Sequence, residues 1–254
     1  NETGLANVSI GYEAMKGASG NSHSNNTAVG YFSLKSVTTG GNNVAIGYEA
    51  AKSITTGTSN TVFGYQALQS ATGNDYNTAI GYRTLYSISG SDNSEGRYNV
   101  AVGHQAGYST TTANLNTFVG GNAGFYTTTG YGNTFLGNAA GQNNTTGVNN
   151  VYVGYFAGFY QSVGSENVAV GQQNFYGSSN EANSSTACVA IGFQAAYGSN
   201  AGTGVTAVGR GALRQIADSG SYSTAVGYNA GYMASGSYNT FVGSYAGRGG
   251  TTSA

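Results

Sequence analysis

Nine carboxylate side chains are the groups of this 254-residue chain best suited to acid–base chemistry. They are Glu2, Glu13, Glu49, Asp75, Asp92, Glu95, Glu166, Glu181 and Asp218. Two acids that together hydrolyse a glycosidic bond must lie within roughly 5–10 Å of each other. Only Asp92 and Glu95 are close in sequence, and Arg97 follows them. This segment predicts an acid pair or a cation site on one hypothesis, and a solvated loop with a surface ion pair on the other.

The residues that ligate metals or act as nucleophiles are few and scattered. The chain has two histidines, His23 and His104, and one cysteine, Cys188, which are too far apart in sequence for a zinc site within one chain. Cys188 takes a place that other segments give to asparagine, which favours a small packed side chain over a nucleophile. No phosphate-binding motif accompanies the glycines. We therefore predict a protein that is not an enzyme and has no cofactor, metal or catalytic residue.

The charge balance excludes further classes of function. Lys and Arg total 8, Asp and Glu total 9, and the formal net charge is −1. So few scattered cations cannot neutralise a track of phosphates, so a nucleic-acid partner is not expected. No run of about 18 apolar residues occurs, so direct membrane insertion is not expected either.

A repeated glycine organises the chain, which has 43 Gly and no Pro. We call these fourteen residues the coil glycines and count other positions from them; eight of the 13 intervals are 17 residues. They are Gly11, Gly30, Gly47, Gly64, Gly81, Gly103, Gly120, Gly137, Gly154, Gly171, Gly192, Gly209, Gly227 and Gly243. A fixed period of this length is the signature of a solenoid.

The residues before each coil glycine predict a short strand. Position −1 is Val or Ile in 12 repeats, position −3 is always β-branched, and position −4 is Asn in 11. The segment 43–47, Asn-Val-Ala-Ile-Gly, is typical. β-Branched residues followed by glycine indicate a strand that ends in a bend. We predict an all-β parallel β-solenoid of about 14 coils, forming a single elongated domain over residues 1–254. Its coils run from about 7 to 247, with longer coils near 87–98 and 176–186 and a flexible tail at 248–254.

Alternation along the strand predicts an oligomer. Positions −3 and −1 point to one face and position −2 to the other. The first face is taken as the coil interior, yet position −2 is also small or apolar. A strand that is apolar on both faces is normally covered on both. We therefore predict that position −2 is covered by other copies of the chain, in an oligomer face that includes Ala45, Ala79, Ala101, Phe118, Phe135 and Ala169.

Stacking of identical coils predicts columns of identical side chains. Asn26, Asn43, Asn60 and Asn77 would form a ladder of amides that bond along the stack. The aromatic residues at position +1 would stack in the same way: Tyr12, Tyr31, Tyr48, Tyr65 and Tyr82.

Two surface features suggest ligands. Threonine pairs recur at one corner, and aligned threonines could organise water in an ice-binding face: Thr38-Thr39, Thr55-Thr56, Thr111-Thr112, Thr128-Thr129 and Thr145-Thr146. The alternative is that β-branched residues simply suit solvent-facing edges. The two longer coils project loops, where solenoids often bind ligands. Their aromatic and acidic residues are candidate ligand contacts, suited to sugars: Tyr86, Asp92, Glu95, Tyr98, Phe175 and Tyr176.

The sequence motif of the strands resembles that of known fibrous proteins. The segments 99–103 (Asn-Val-Ala-Val-Gly) and 167–171 (the same five residues) resemble the YadA-like head repeat of trimeric autotransporter adhesins. The longer sequence motif, Asn-Thr-Ala/Phe-Val-Gly-Tyr-x-Ala, is also similar to the repeats in the shafts of phage tail-fibre proteins. The resemblance implies a left-handed β-roll, three chains around one axis, and an extracellular place on a virion fibre or cell surface.

The expected function is therefore that of a non-enzymatic structural or adhesive segment. It would be a homotrimer that presents, or contributes to, binding of a cell-surface glycan or protein receptor. An ice-binding solenoid and a polysaccharide-degrading fibre are the alternatives.

Overall fold

The computed structural model describes residues 4–17, 21–90, 95–178, 183–198, 202–215 and 221–249. Fourteen strands of three residues each occupy positions −3 to −1 and end directly before a coil glycine. In chain order, β1 to β14 are Val8–Ile10, Thr27–Val29, Val44–Ile46, Thr61–Phe63, Thr78–Ile80, Val100–Val102, Thr117–Val119, Thr134–Leu136, Val151–Val153, Val168–Val170, Val189–Ile191, Thr206–Val208, Thr224–Val226 and Thr240–Val242.

The chain divides into two compact units, residues 1–131 and 132–254. In the first unit, β1 to β7 pair with their sequence neighbours in parallel, and equivalent positions face each other. The second unit pairs β8 to β14 in the same way. The predicted all-β parallel solenoid, with coils of about 17 residues, is confirmed. The handedness, the trimer and the single domain over 1–254 stay predictions.

Close approach of successive coils explains the coil glycines. Gly47 has φ of +137°, and a Cβ atom on it would lie 2.4 Å from the carbonyl oxygen of Gly64. Gly154 has φ of +136°, with the same 2.4 Å to the carbonyl oxygen of Gly171. L-residues rarely adopt such a φ. The oxygen that the Cβ atom would meet belongs to the backbone of the next coil, so it cannot move aside. Only glycine fits at this position.

Position −2 lies inside the coil, so the predicted oligomer face was wrong. The side chains assigned to that face are all fully buried within the single chain: Ala45, Ala79, Ala101, Phe118, Phe135 and Ala169. Position −1 points outward instead, and Ile80 and Leu136 are 38% and 46% exposed. Alternation fixes that the two sets face opposite ways, but not which is inside. A narrow coil has room for alanine, which is the usual residue at position −2.

An aromatic side chain at position −2 leaves no room for a side chain at position +4 of the same coil. Coils with alanine at −2 can place leucine at +4, as in the fifth coil with Ala79 and Leu85, both buried. The seventh coil has Phe118 at −2 and Gly124 at +4, where a Cβ atom would lie 2.6 Å from the Phe118 ring. The second unit shows the same exclusion, since a Cβ atom on Gly158 would lie 2.4 Å from the buried ring of Tyr152. One large side chain therefore fills each of these coils.

The predicted asparagine ladder is confirmed in both units. In the second unit, the amide nitrogen of Asn150 donates to Asn133 Oδ1 at 3.1 Å and to the Gly164 carbonyl at 2.8 Å. Asn150 Oδ1 in turn accepts from the backbone and side-chain nitrogens of Asn167, both at 3.0 Å. In the first unit the same contacts run from Asn26 through the equivalent asparagines. These buried amides are thus satisfied along the stack.

Candidate functional site

The aromatic residues at position +1 form an exposed column in the first unit. Successive rings are nearly parallel, with centroids 5.1–5.4 Å apart. The column contains Tyr12, Tyr31, Tyr48, Tyr65, Tyr82 and His104. The predicted tyrosine stack is confirmed. His104 continues the column, and its ring stacks on Tyr82 with the centroids 5.1 Å apart.

The candidate aromatics of the first longer coil lie in two different columns. Tyr86 is at position +5, and its half-buried ring stacks on Tyr108 at 5.2 Å. Tyr98 is at position −5, is 46% exposed, and stacks on Tyr76 at 4.8 Å with the rings 1° from parallel. The structure therefore shows two separate stacks on this coil.

The candidate residues of the second longer coil are less accessible. Phe175 is fully buried at position +4, in a coil that has alanine at −2. Its assignment as a ligand contact was therefore wrong. Tyr176 is half-buried and stacks on Phe159 and Tyr197 at 5.3 and 5.0 Å. Burial raises the pKa of Tyr176.

The acid pair cannot be assembled from the described residues. Asp92 lies outside them. Glu95 is half-buried, and its backbone carbonyl accepts a hydrogen bond from the Asn74 amide at 2.9 Å.

Cys188 has the packed place that its sequence position predicts. It is 1% exposed, and its N–H donates to Asn167 Oδ1 at 3.0 Å, as an asparagine would at this step of the ladder. Burial raises the pKa of the Cys188 thiol, which disfavours the reactive thiolate. The predicted structural role is confirmed.

The threonine pairs contribute to stacking between coils. The first hydroxyl of a pair donates to the backbone of the next coil, for example from Thr38 to the Thr55 carbonyl at 3.1 Å and from Thr111 to the Thr128 carbonyl at 3.0 Å. The pairs also lie in bends, outside the fourteen strands. The first hydroxyl of such a pair therefore uses its donor between coils and keeps only acceptor capacity for water.

Charged side chains of the first unit neutralise one another. Lys16 and Lys35, both at position +5, contact the Glu13 carboxylate at position +2, at 2.6 and 2.9 Å. Hydrogen bonds from these two lysines lower the pKa of Glu13. Lys52 contacts Glu49 in the same arrangement, at 2.7 Å. This face of the first unit therefore alternates cations with carboxylates.

Glu49 is the most enclosed of these carboxylates, with 7% of its surface exposed. Its second oxygen accepts from the amides of Gln66 and Gln69 at 2.8 and 2.6 Å. Burial raises its pKa, but the hydrogen bonds from Lys52 and Gln66 outweigh burial, and the net pKa is lowered. The carboxylate is held ionised as part of the stack.

A cluster of arginines in the second unit was not predicted from the sequence. Arg210, Arg214 and Arg248 line one cavity of about 250 Å³. Alignment on the coil glycines would have revealed them, because Arg214 and Arg248 share position +5 with Tyr232 between them. Their separation of 34 residues hides this when the chain is read linearly.

No protein-family model, curated protein or solved structure matches the chain. Within the described ranges, His, Cys, Asp and Glu side chains form no group of three that could hold a metal ion. No helix among those same residues has the length and apolar character needed to cross a membrane.

Proposed function

We propose that this chain is a non-enzymatic structural segment of an extracellular fibre or surface head, built from three copies of the chain. The observation that carries the proposal is the outer face of the strands. Position −1 presents Val, Ile, Phe or Leu in every coil, and these side chains stay partly or well exposed in the single chain. A repeated apolar row of this kind marks a surface that contacts a partner.

A second copy of the same chain suits this row because the row is itself periodic. Coils of one copy can meet equivalent coils of the next with the same side chains in contact along the stack. The chain is low in charge, so little opposes close approach. The resemblance to the trimeric adhesin head and to phage tail-fibre shafts supports three copies and an extracellular location.

Cross-linking tests this arrangement. Val102→Cys places a thiol on the outer row, and Thr129→Cys places one on an exposed corner as the control. The native Cys188 is buried and contributes little background. A short bis-maleimide joins two thiols, so it should link Val102→Cys into covalent dimers and leave Thr129→Cys monomeric on a denaturing gel. Equal linking of both variants, or of neither, would contradict the outer row as the contact face.

We also propose that the segment contributes to adhesion through exposed ring pairs. Tyr76 and Tyr98 stack in parallel and are 47% and 46% exposed, and Arg97 packs over Tyr98 with 5.4 Å to the ring centroid. The exposed edges and hydroxyl groups of these rings, with the Arg97 guanidinium beside them, suit hydrogen bonds to sugar hydroxyls. Tyr98→Ser should reduce retention on immobilised surface polysaccharides, while Tyr131→Ser, another exposed tyrosine, should not. Equal retention of Tyr98→Ser and the wild type would exclude a role for Tyr76 and Tyr98 in adhesion.

The enzyme and ice-binding alternatives have direct tests of their own. A polysaccharide-degrading fibre would shorten a capsular or host glycan over time, and an ice-binding solenoid would shape ice crystals and show thermal hysteresis. We expect neither effect from the purified protein.

A further inference from the structure

A glycine in a column of polar side chains lines the arginine cavity of the second unit. Gly211 stands at position +2, where the neighbouring coils have Gln194 and Asn229. A Cβ atom on Gly211 would lie 2.2 Å from Asn229 Oδ1, so the Asn229 amide packs where a side chain at position 211 would lie. The opening is lined by side chains from positions +1, +2 and +5 of successive coils.

Aromatic rings and hydrogen bonds hold Arg214 in place beside this opening. Its guanidinium packs over the rings of Tyr197 and Tyr232, 5.4 and 5.5 Å from their centroids. Its Nε donates to Gln194 Oε1 at 2.8 Å, and an Nη atom donates to the Tyr232 hydroxyl. The rings cover the faces of the guanidinium, and donors on its edge remain beyond these two hydrogen bonds.

The other two arginines have similar settings. Arg210 packs over Phe193 and Tyr228 at 5.3 and 5.4 Å, and its Nη1 donates to the Tyr228 hydroxyl at 2.9 Å. Arg248 packs over Tyr245 at 5.2 Å. Three guanidinium groups are thus positioned around one small cavity by their neighbours.

No acidic side chain in the lining of this cavity compensates the positive charges of the three arginines. The lysines at position +5 of the first unit meet glutamates at position +2 of the same or a neighbouring coil. In the second unit the equivalent +2 positions around the cavity have Gln194, Gly211 and Asn229, and none of the eight lining residues is acidic. Three like charges at one site repel one another, and a bound anion would lower that repulsion.

We propose that this cavity binds an oxyanion group, a carboxylate, sulfate or phosphate, of an acidic polysaccharide. The planar guanidinium presents paired N–H donors that match the oxygens of such groups. A volume of about 250 Å³ suits one charged group with part of its sugar, and the Gln194 and Asn229 amides in the lining can donate hydrogen bonds to that sugar. The site depends neither on the trimer nor on the pair of Tyr76 and Tyr98.

Affinity electrophoresis in native gels tests the site and its ligand. Gels would contain polygalacturonate for carboxylate, heparin for sulfate, or neutral dextran, and inorganic phosphate would be tested by the shift in melting temperature. The test variant is Arg214→Gln with Arg248→Gln. The control, Lys35→Gln with Lys52→Gln, removes the same number of positive charges from the paired lysines. Arg248→Gln alone serves if the double variant folds poorly.

We expect an acidic gel to retard the wild type and the lysine variant and dextran to retard neither. The arginine variant should bind at least about tenfold more weakly, and the probe that binds identifies the oxyanion. Loss of binding in both double variants alike would mean a general charge effect and would overturn the site. The site is also excluded if the wild type responds to none of the three acidic probes.

Discussion

At the scale of single residues, the fold depends on positions where only one side chain is compatible with the next coil. Gly154→Ala would place a methyl group 2.4 Å from the Gly171 carbonyl oxygen at a φ of +136°. We expect the free energy of unfolding to fall by at least about 3 kcal/mol in urea titrations. Gly236→Ala is the control, because no heavy atom lies within 4 Å of its added Cβ and only the backbone cost of about 1–2 kcal/mol applies.

The asparagine ladder predicts opposite effects at two equivalent positions. Asn150→Ala removes two donated and two accepted hydrogen bonds and should cost about 3 kcal/mol, since buried polar groups are left unpaired. Cys188→Asn should raise stability by about 1 kcal/mol, because an amide can bond the Gly202 carbonyl that the Cys188 thiol now meets at 3.4 Å. Chemical denaturation measures both. The ladder would be contradicted if Asn150→Ala raised the free energy of unfolding, or if Cys188→Asn lowered it.

At the scale of the coil, an aromatic side chain at position −2 occupies the space that a side chain at position +4 would need. Phe118→Ala should cost about 3–5 kcal/mol through the cavity that it leaves. Gly124→Leu should also be destabilising, because its Cβ would lie 2.6 Å from the Phe118 ring. The double variant Phe118→Ala with Gly124→Leu recreates the pairing of Ala79 with Leu85. Leu85 has φ of +48°, which shows that leucine is accepted at position +4. It should therefore recover most of the loss, with a coupling of at least about 2 kcal/mol in a double-mutant cycle. Additive effects would refute this exclusion.

The coil also shows what the sequence could and could not predict. Spacing and β-branching located each strand, since all fourteen end at the residue before a coil glycine. Alternation could not tell which face is inside, because Ala101 and Val102 are both apolar. The Phe118–Gly124 pairing and the arginine cavity were missed for a different reason. They combine residues by position in the coil rather than by distance along the chain.

At the scale of the whole molecule, the paired charges of the first unit predict sensitivity to acid. The pKa of Glu49 is lowered below its ordinary value of 4.5, so its stabilising contribution is present above that pH and is lost as the pH falls through the folded-state pKa. We expect the melting temperature to drop below about pH 4.5. Glu49→Gln should be less stable at pH 7 and show a smaller drop on acidification. A variant with the same pH dependence as the wild type would show that Glu49 is not responsible.

Self-association through the outer row of the strands is the central claim, and light scattering after size exclusion tests it most directly. The wild type should elute with a mass of three times 25.7 kDa. Ile80→Asp, on the outer row, should elute as a folded single chain, because like charges would meet at the contact. Thr129→Asp, on a corner, should keep the wild-type mass. A wild type that is folded and monodisperse at 25.7 kDa would contradict the account.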